Sequence, residues 1–414
     1  MSLIKPFRGL RPVPGRSDDV VAPPYDVVDR AEAKALVKNR PWSFLHISRP
    51  EIDLPDTTDP YDPAVYAKGR ENLDRMVAEG ILVLEDRPCY YAYRLTMGEH
   101  IQTGIVATAS VEAYDRNRIK KHEFTRPVKE DDRVRQIDTL NAQTGPVFLV
   151  YAADPVVDGI LREVSSVPAD VDVTAGRDGV RHEIWKIERF ETVEALTAGF
   201  DAMPAIYVAD GHHRSAAGSR VGNARREANP AHTGEESYNY FLTVIFPHDQ
   251  MQILDYNRVV RDLNGLSKDG FLAAVGTAFD LELSDRPVKP ARSGEFGMYL
   301  DGQWYRLRIH EERIPEEDPV ARLDVSLLQN NLIEPVLGIE DPRRDDRIDF
   351  VGGIRGLEGL EKRVDSGDWE LAFALFPTTM KALMDVADAG EVMPPKSTWF
   401  EPKLADGLIS HVLD

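Results

Sequence analysis

Only one cysteine, Cys89, stands among the 414 residues. An intramolecular disulfide is excluded, and with it a secreted disulfide scaffold. Thiolate-rich zinc sites and iron–sulfur clusters are excluded on the same ground. Cys89 lies in "RPCYYAYRL", which reads as a strand, so a buried structural thiol is expected there rather than a nucleophile. Positive charge is also scarce. Lys and Arg number 50 against 70 Asp and Glu, for a formal net charge of -20. That balance favours solubility and opposes non-specific binding to nucleic acid or anionic lipid. A local basic pocket could still hold a small anion. Long apolar runs are missing too: charges interrupt each of them, so no membrane-spanning helix is expected. The N-terminus "MSLIKPFRGLRPVPGRSDD" has no apolar core of signal-peptide length. A cytoplasmic protein without nucleic-acid or membrane partners is the expectation. Neither an HExxH motif nor a GxSxG elbow is present.

What is present is ordinary globular material. A hydrophobic fraction of 42% is enough for a large core, and the length suggests two or three domains. Three regions are expected: 1–114, 115–260 and 261–414. In the first, "PAVYAKGRENLDRMVAEGIL" has apolar residues at helical spacing with Gly80 as C-cap. "CYYAYRLTM" and "QTGIVATASVEAY" read as strands joined at Gly98. In the second, "PVFLVYA" and "RHEIWKIE" read as strands, "TVEALTAGFDAM" as a helix, and "YNYFLTVIFP" with "MQILDYNRVV" as a strand pair. In the third, "KDGFLAAVGTAF", "DVSLLQNNLIEPVL" and "PTTMKALMDVADAG" read as helices. "FGMYLDGQWYRLRI" reads as a hairpin around Asp301-Gly302, and "VGGIRGLEGLE" as a turn. The fold class is α/β or α+β, with mixed sheets and flanking helices.

The chemistry concentrates in "AIYVADGHHRSAAG". "AIYV" is strand-like and the alanine-rich continuation is helical, so Asp210, Gly211, His212, His213 and Arg214 occupy a strand-to-helix turn. A helix start with its dipole favours an anion, Gly211 permits tight backbone geometry, and Arg214 can clamp a phosphate. The histidines add donors. A phosphate site suits all five residues. A metal held by His212 and His213 suits them less, because adjacent residues project to different sides and no further ligands are spelled out by a motif. A merely solvated, capped helix start is the bland alternative.

Upstream, "KKHEFTRPVKEDDR" packs His122, Glu123, Thr125, Arg126, Lys129, Asp132 and Arg133 into one span broken by Pro127. A solvated face is one reading and a loop aimed at a ligand the other. Glu123 could accept a proton or hold Mg²⁺ through oxygen. "APPYD" (22–26) is a stiff extended turn whose structural reading is preferred. "GEVMPPKSTWFEPKLADGL" nearly has P-loop spacing, but Pro395 stands where the second glycine belongs and removes an N–H from the cradle. The P-loop is rejected; Lys396 and Ser397 stay as contributors to an anion pocket.

Together "APPYDVV", "HEFT…K…DDR", "YVADGHHRSAA" and "MPPKSTWFEPKL" resemble the bacterial family known as domain of unknown function 1015, over nearly the whole chain. The central signature also resembles the nucleotide-binding ParB/sulfiredoxin superfamily, and within it the free-serine kinases, which carry a similar Asp-Gly-His-His-Arg turn and an upstream glutamate base. The resemblance implies a ParB/sulfiredoxin-like central region in which residues 210–214 hold phosphates. It implies Glu123 as the catalytic base; His213 is a further catalytic candidate, and Lys396 and Ser397 are candidates beside the cofactor. It further implies ATP or ADP with Mg²⁺ as cofactor and a small hydroxyl substrate such as serine. Two departures stand out: His212 occupies the position of the sulfiredoxin cysteine, and no helix-turn-helix is seen. The activity implied is a nucleotide-dependent phosphotransferase. A nucleotide-binding regulator without turnover and a metal-dependent hydrolase using His212 and His213 remain alternatives, and a homodimer stays open.

Overall fold

The computed structural model describes residues 2–175 and 179–414. The chain is mixed α/β and divides into two units: Met1–Met251 with Pro402–Asp414, and Gln252–Glu401. These units cut across the three regions expected from the sequence. Residues 2–114 and 115–251 share one sheet, and residues 402–414 return to that first unit.

The first unit is built on a nine-stranded sheet. Its middle pairs His100–Ser110 with Tyr90–Met97 on one side and Tyr240–Pro247 on the other, all antiparallel. Gly98, at φ +59, makes the turn between the first two, as the sequence suggested. Tyr240–Pro247 then runs parallel to Val147–Tyr151. Next comes Ile206–Asp210, antiparallel to Val147–Tyr151, and last Ile119–Lys120, parallel to Ile206–Asp210. The strands are rich in Val, Ile, Tyr and Phe, the residues that fit a pleated, buried surface. Leu149, Ile105, Ala107, Val208, Phe241 and Ile245 are all buried in the core they share with Leu196 and Phe200 of the helix Phe190–Ala202. A four-stranded sheet in the same unit includes Ser410–Val412, paired with Gly9–Pro12 and Ala142–Gln143. Cys89 is buried, exchanges backbone hydrogen bonds with Phe7, and has its thiol pushed up by burial.

The second unit has a six-stranded sheet and a two-stranded one. The hairpin Glu295–Leu300 and Gln303–Ile309 turns at Asp301-Gly302, both at positive φ. Two expectations need correction. "YNYFLTVIFP" and "MQILDYNRVV" do not pair. The first lies inside the nine-stranded sheet, while Gln252–Leu254 and Tyr256–Val260 find partners in the second unit, at Trp399–Glu401, Ile348–Gly352 and Leu371–Leu375. A short 3-10 turn, His248–Gln250, separates them. "VGGIRGLEGLE" is only partly a turn: Gly356–Asp365 is a helix that buries Leu360 and Val364, an i, i+4 pair masked in the sequence by four glycines. No helix among the described residues is long and apolar enough to cross a membrane.

The helix His212–Ala228 lies close on its surroundings through small residues; Ala217, Gly218, Ser219 and Gly222 are buried. A Cβ at Gly222 would drive into the backbone carbonyl of Tyr238, and that backbone has no side-chain freedom with which to yield. Gly222→Ala is expected to destabilise by about 2–3 kcal/mol, the overpacking range, read from the midpoint of urea unfolding.

Candidate functional site

Ile206–Asp210 ends in a β-bulge: its register against Val147–Tyr151 shifts between Val208 and Asp210, which re-aims the last residue. Gly211 follows at φ +94, a left-handed conformation that glycine adopts without a Cβ penalty. The helix begins at His212. A side chain at Gly211 would meet the Arg214 guanidinium at 3.0–3.2 Å, so the bare glycine lets that guanidinium fold back over the turn.

The neighbouring strand explains what faces the turn. Ile119–Lys120 runs parallel to Ile206–Asp210, with Ile119 opposite Ile206 and Lys120 opposite Tyr207. Both strands therefore end in the same direction, and the chain two or three residues past Lys120 comes level with the turn. Carboxyl ends of parallel strands are where open α/β sheets bind ligands. This register carries His122 and Glu123 to His212 across ninety positions of sequence.

The contacts are specific. The rings of His122 and His212 meet edge to face with centroids 4.5 Å apart. The backbone N–H of His122 donates to His212 Nε2 at 3.5 Å. His212 Nδ1 stands 3.7 Å from Glu123 Oε2. The buried His122 Nδ1 has no hydrogen-bond partner. Burial pushes the His122 imidazolium down to about 4, and burial together with His122 pushes His212 well below the usual range. Both imidazoles are therefore neutral at pH 7. One donor atom each from His122, Glu123 and His212 lies within 4.8 Å of the others.

A second set of groups lies on the other side of the turn. Asp210 accepts from Lys403 Nζ at 2.9 Å. Burial works against its ionisation, but Lys403 and then Arg214 outweigh burial and hold the carboxyl well below the usual range. Arg214 donates through Nη1 to the Pro146 carbonyl at 2.5 Å, and its Nη2 is 3.9 Å from Asp210. Burial opposes its charge as well, yet Asp26, Asp210, Tyr25 and Asp406 keep it cationic. Arg214 thus fastens the turn to the sheet and balances three carboxyls. It shares a narrow cleft with Tyr25, Arg133, Gln143, Thr144 and Asp406. Arg133 grips Asp132 at 2.7 Å and lies over the Tyr25 ring at 4.0 Å. Asp406 is 2% exposed; burial pushes its carboxyl up to about 7 against the pull of Arg214.

The other expected site residues fall as follows. His213 Nε2 accepts from the backbone N–H of Arg126 at 3.0 Å, at the start of the helix Pro127–Leu140. Lys396 and Ser397 belong to the second unit. Lys396 has φ +60 and Ser397 Oγ donates to the Pro394 carbonyl at 2.6 Å. Sequence reasoning did not single out Lys403, Asp406, Tyr25, Asp26 or Arg133 as parts of one centre. The signal was there in part: "APPYD" carries Tyr25 and Asp26, "FEPKLAD" carries Lys403 and Asp406, and "KKHEFTRPVKEDDR" ends on Arg133. Their meeting depends on Ala22 exchanging both backbone hydrogen bonds with Asp406, a pairing no spacing reveals.

These features define a mixed α/β protein whose candidate site lies at the carboxyl end of two parallel strands and the start of a helix. The chain belongs to the family described as a protein of unknown function, DUF1015, whose model matches residues 4–326. No curated protein matches it. Among solved structures it is similar to a free serine kinase in complex with AMP, at 12% identity and a TM-score of 0.38, covering 75% of this chain and 91% of that one. It is also similar to a conserved hypothetical protein from Pyrococcus furiosus, at 13% identity and a TM-score of 0.34, covering 74% and 95%. A third likeness is to SbnI from Staphylococcus aureus with a C-terminal truncation, at 12% and 0.36, covering 72% and 82%. These likenesses are distant.

Proposed function

We propose that the chain is a nucleotide-dependent phosphotransferase acting on a small hydroxyl substrate, with ATP or ADP as phosphoryl donor. The observation that carries this reading is Glu123 standing 3.7 Å from His212 at the start of the helix. An acid drawn from far upstream lies beside a turn suited to phosphate. The N–H groups of a helix's first turn have no partner within the helix and favour an anion. In this reading the turn Gly211–Arg214 holds the phosphates. Glu123, with its side chain 53% exposed, takes the proton of the substrate hydroxyl as its oxygen attacks the terminal phosphorus and the bond to the leaving nucleotide breaks. Arg214, already bonded to Pro146, is a positioning residue for the turn. Phe124, next to Glu123, is 77% exposed and offers an aromatic face to a base.

Mg²⁺, expected with the nucleotide, takes oxygen ligands. The donors gathered beside the turn are two imidazoles and one carboxylate, and Asp210 is already paired with Lys403. This set does not fit a protein-held Mg²⁺.

Calorimetric titration with ATP and ADP, paired with a turnover assay on serine and similar hydroxyl compounds, tests the reading. Glu123→Gln is expected to bind nucleotide as the wild type does and to lose about 100-fold or more of the turnover, the range for a general base. Phe124→Ala is expected to weaken nucleotide binding about tenfold, since one base–aromatic stack contributes roughly 1–3 kcal/mol. A wild-type chain that binds no nucleotide would sink the reading. Binding without turnover on any hydroxyl substrate would leave only the regulatory role.

A further inference from the structure

We propose that His122, Glu123 and His212 form a binding site for one divalent transition-metal ion. Three observations converge. The donor atoms of the three side chains lie within 4.8 Å of one another, close enough to draw onto one ion with modest side-chain movement, since metal–nitrogen bonds are about 2.0–2.1 Å. His122 Nδ1 is buried and has no hydrogen-bond partner, in a residue only 2% exposed. An imidazole lone pair shut away from water without a partner is a standing cost that a metal removes. Finally, the His122 and His212 rings already meet edge to face with centroids 4.5 Å apart, so two imidazoles stand side by side in one buried place.

The donor set names the class of ion. Two imidazoles and a carboxylate suit zinc, cobalt, iron or nickel, whereas magnesium and calcium ask for oxygen. Three protein ligands leave at least one position open for water or an oxygen of a bound molecule. The pair that adjacent sequence positions suggest, His212 with His213, is not the pair used: His213 accepts from Arg126 N–H instead. The site goes beyond phosphoryl transfer and stands without it, because its readout is the ion alone.

The test uses the full chain, stripped with a chelator and titrated with Zn²⁺ and Co²⁺ by calorimetry and visible absorption, with no nucleotide present. One ion per chain is expected, with a cobalt spectrum of nitrogen and oxygen ligation. His122→Gln and His212→Gln are each expected to weaken binding by about 100-fold or more, beyond the loss typical of outer-shell changes. Glu123→Gln, at an exposed side chain that leaves the core intact, is expected to weaken it about tenfold or more. His213→Gln keeps an acceptor for Arg126 and is expected to retain the wild-type affinity. Excess Mg²⁺ is expected not to compete. Absence of stoichiometric binding by the wild type, equal competition by Mg²⁺, or loss with His213→Gln but not with Glu123→Gln would overturn the proposal.

Discussion

Arg214→Leu is expected to lower the stability of the first unit by about 3–5 kcal/mol, the range for removing one partner from a buried charge network. The side chain is only 11% exposed and stands among Asp26, Asp210, Tyr25 and Asp406, which keep it charged in spite of burial. Leucine matches the aliphatic stem but abandons the Pro146 carbonyl and leaves Asp210 with Lys403 as its remaining near cation. Arg214→Lys is expected to recover less than half of the loss. A single ammonium on a flexible stem cannot reach both the carbonyl and the carboxyl as a planar fork does. Urea unfolding at neutral pH reads both variants. A loss under about 1 kcal/mol for Arg214→Leu, the scale of a surface pair, would mean that the guanidinium is not what holds the turn.

The second large effect is on pH dependence. Asp406 has a folded-state carboxyl raised to about 7 against roughly 3.9 when unfolded. Between those values the folded chain keeps a proton that the unfolded chain has shed, so this residue makes stability fall as pH rises, by an amount on the order of a few kcal/mol in all. His182 and His411 act in the opposite sense. Burial pushes each imidazolium down to about 4, below the unfolded value of roughly 6.5. Their contribution is complete above that value and is lost as pH falls toward about 4. The wild type is therefore expected to be most stable near the middle of the range, declining on both sides. Asp406→Asn cannot ionise. It is expected to remove the alkaline decline and to exceed the wild type above about pH 7, while keeping the acid limb set by the histidines. Unfolding midpoints taken from about pH 4 to about pH 8 check this. A variant whose profile parallels the wild type throughout would contradict it.

Much of the fold was legible because local pattern and tertiary context agree. Tyr90–Met97, Val180–Ile187 and Pro63–Ala78 follow alternation or helical spacing that long segments display plainly. The strand–turn–helix at 206–228 was legible for the same reason, with Gly211 marking the turn. Glu123 was legible as a candidate from its charged span, and as a base through resemblance. His122 stood in the same quoted span with no assigned part, because its meeting with His212 depends on the parallel register of a two-residue strand, too short to leave a pattern. Partnership was misread once for a related reason. "MQILDYNRVV" looks like the natural neighbour of the strand before it, and only long-range pairing decides otherwise. Arg214 had the right chemistry for a phosphate, but spacing could not show that Pro146 already takes one of its nitrogens.

The return of residues 402–414 to the first unit has a consequence for synthesis. On the ribosome, Met1–Met251 emerges with the strand, turn and helix of the site complete. Lys403 and Asp406 follow only after all of Gln252–Glu401 has been made. Until then Asp210 has no lysine, Ala22 lacks its backbone partner, and Ser410–Val412 is missing from its four-stranded sheet. The nascent first unit must therefore wait, with its charge centre unbalanced, while another unit is threaded out between its two pieces. The charge centre of the site can close only after the whole second unit has been made.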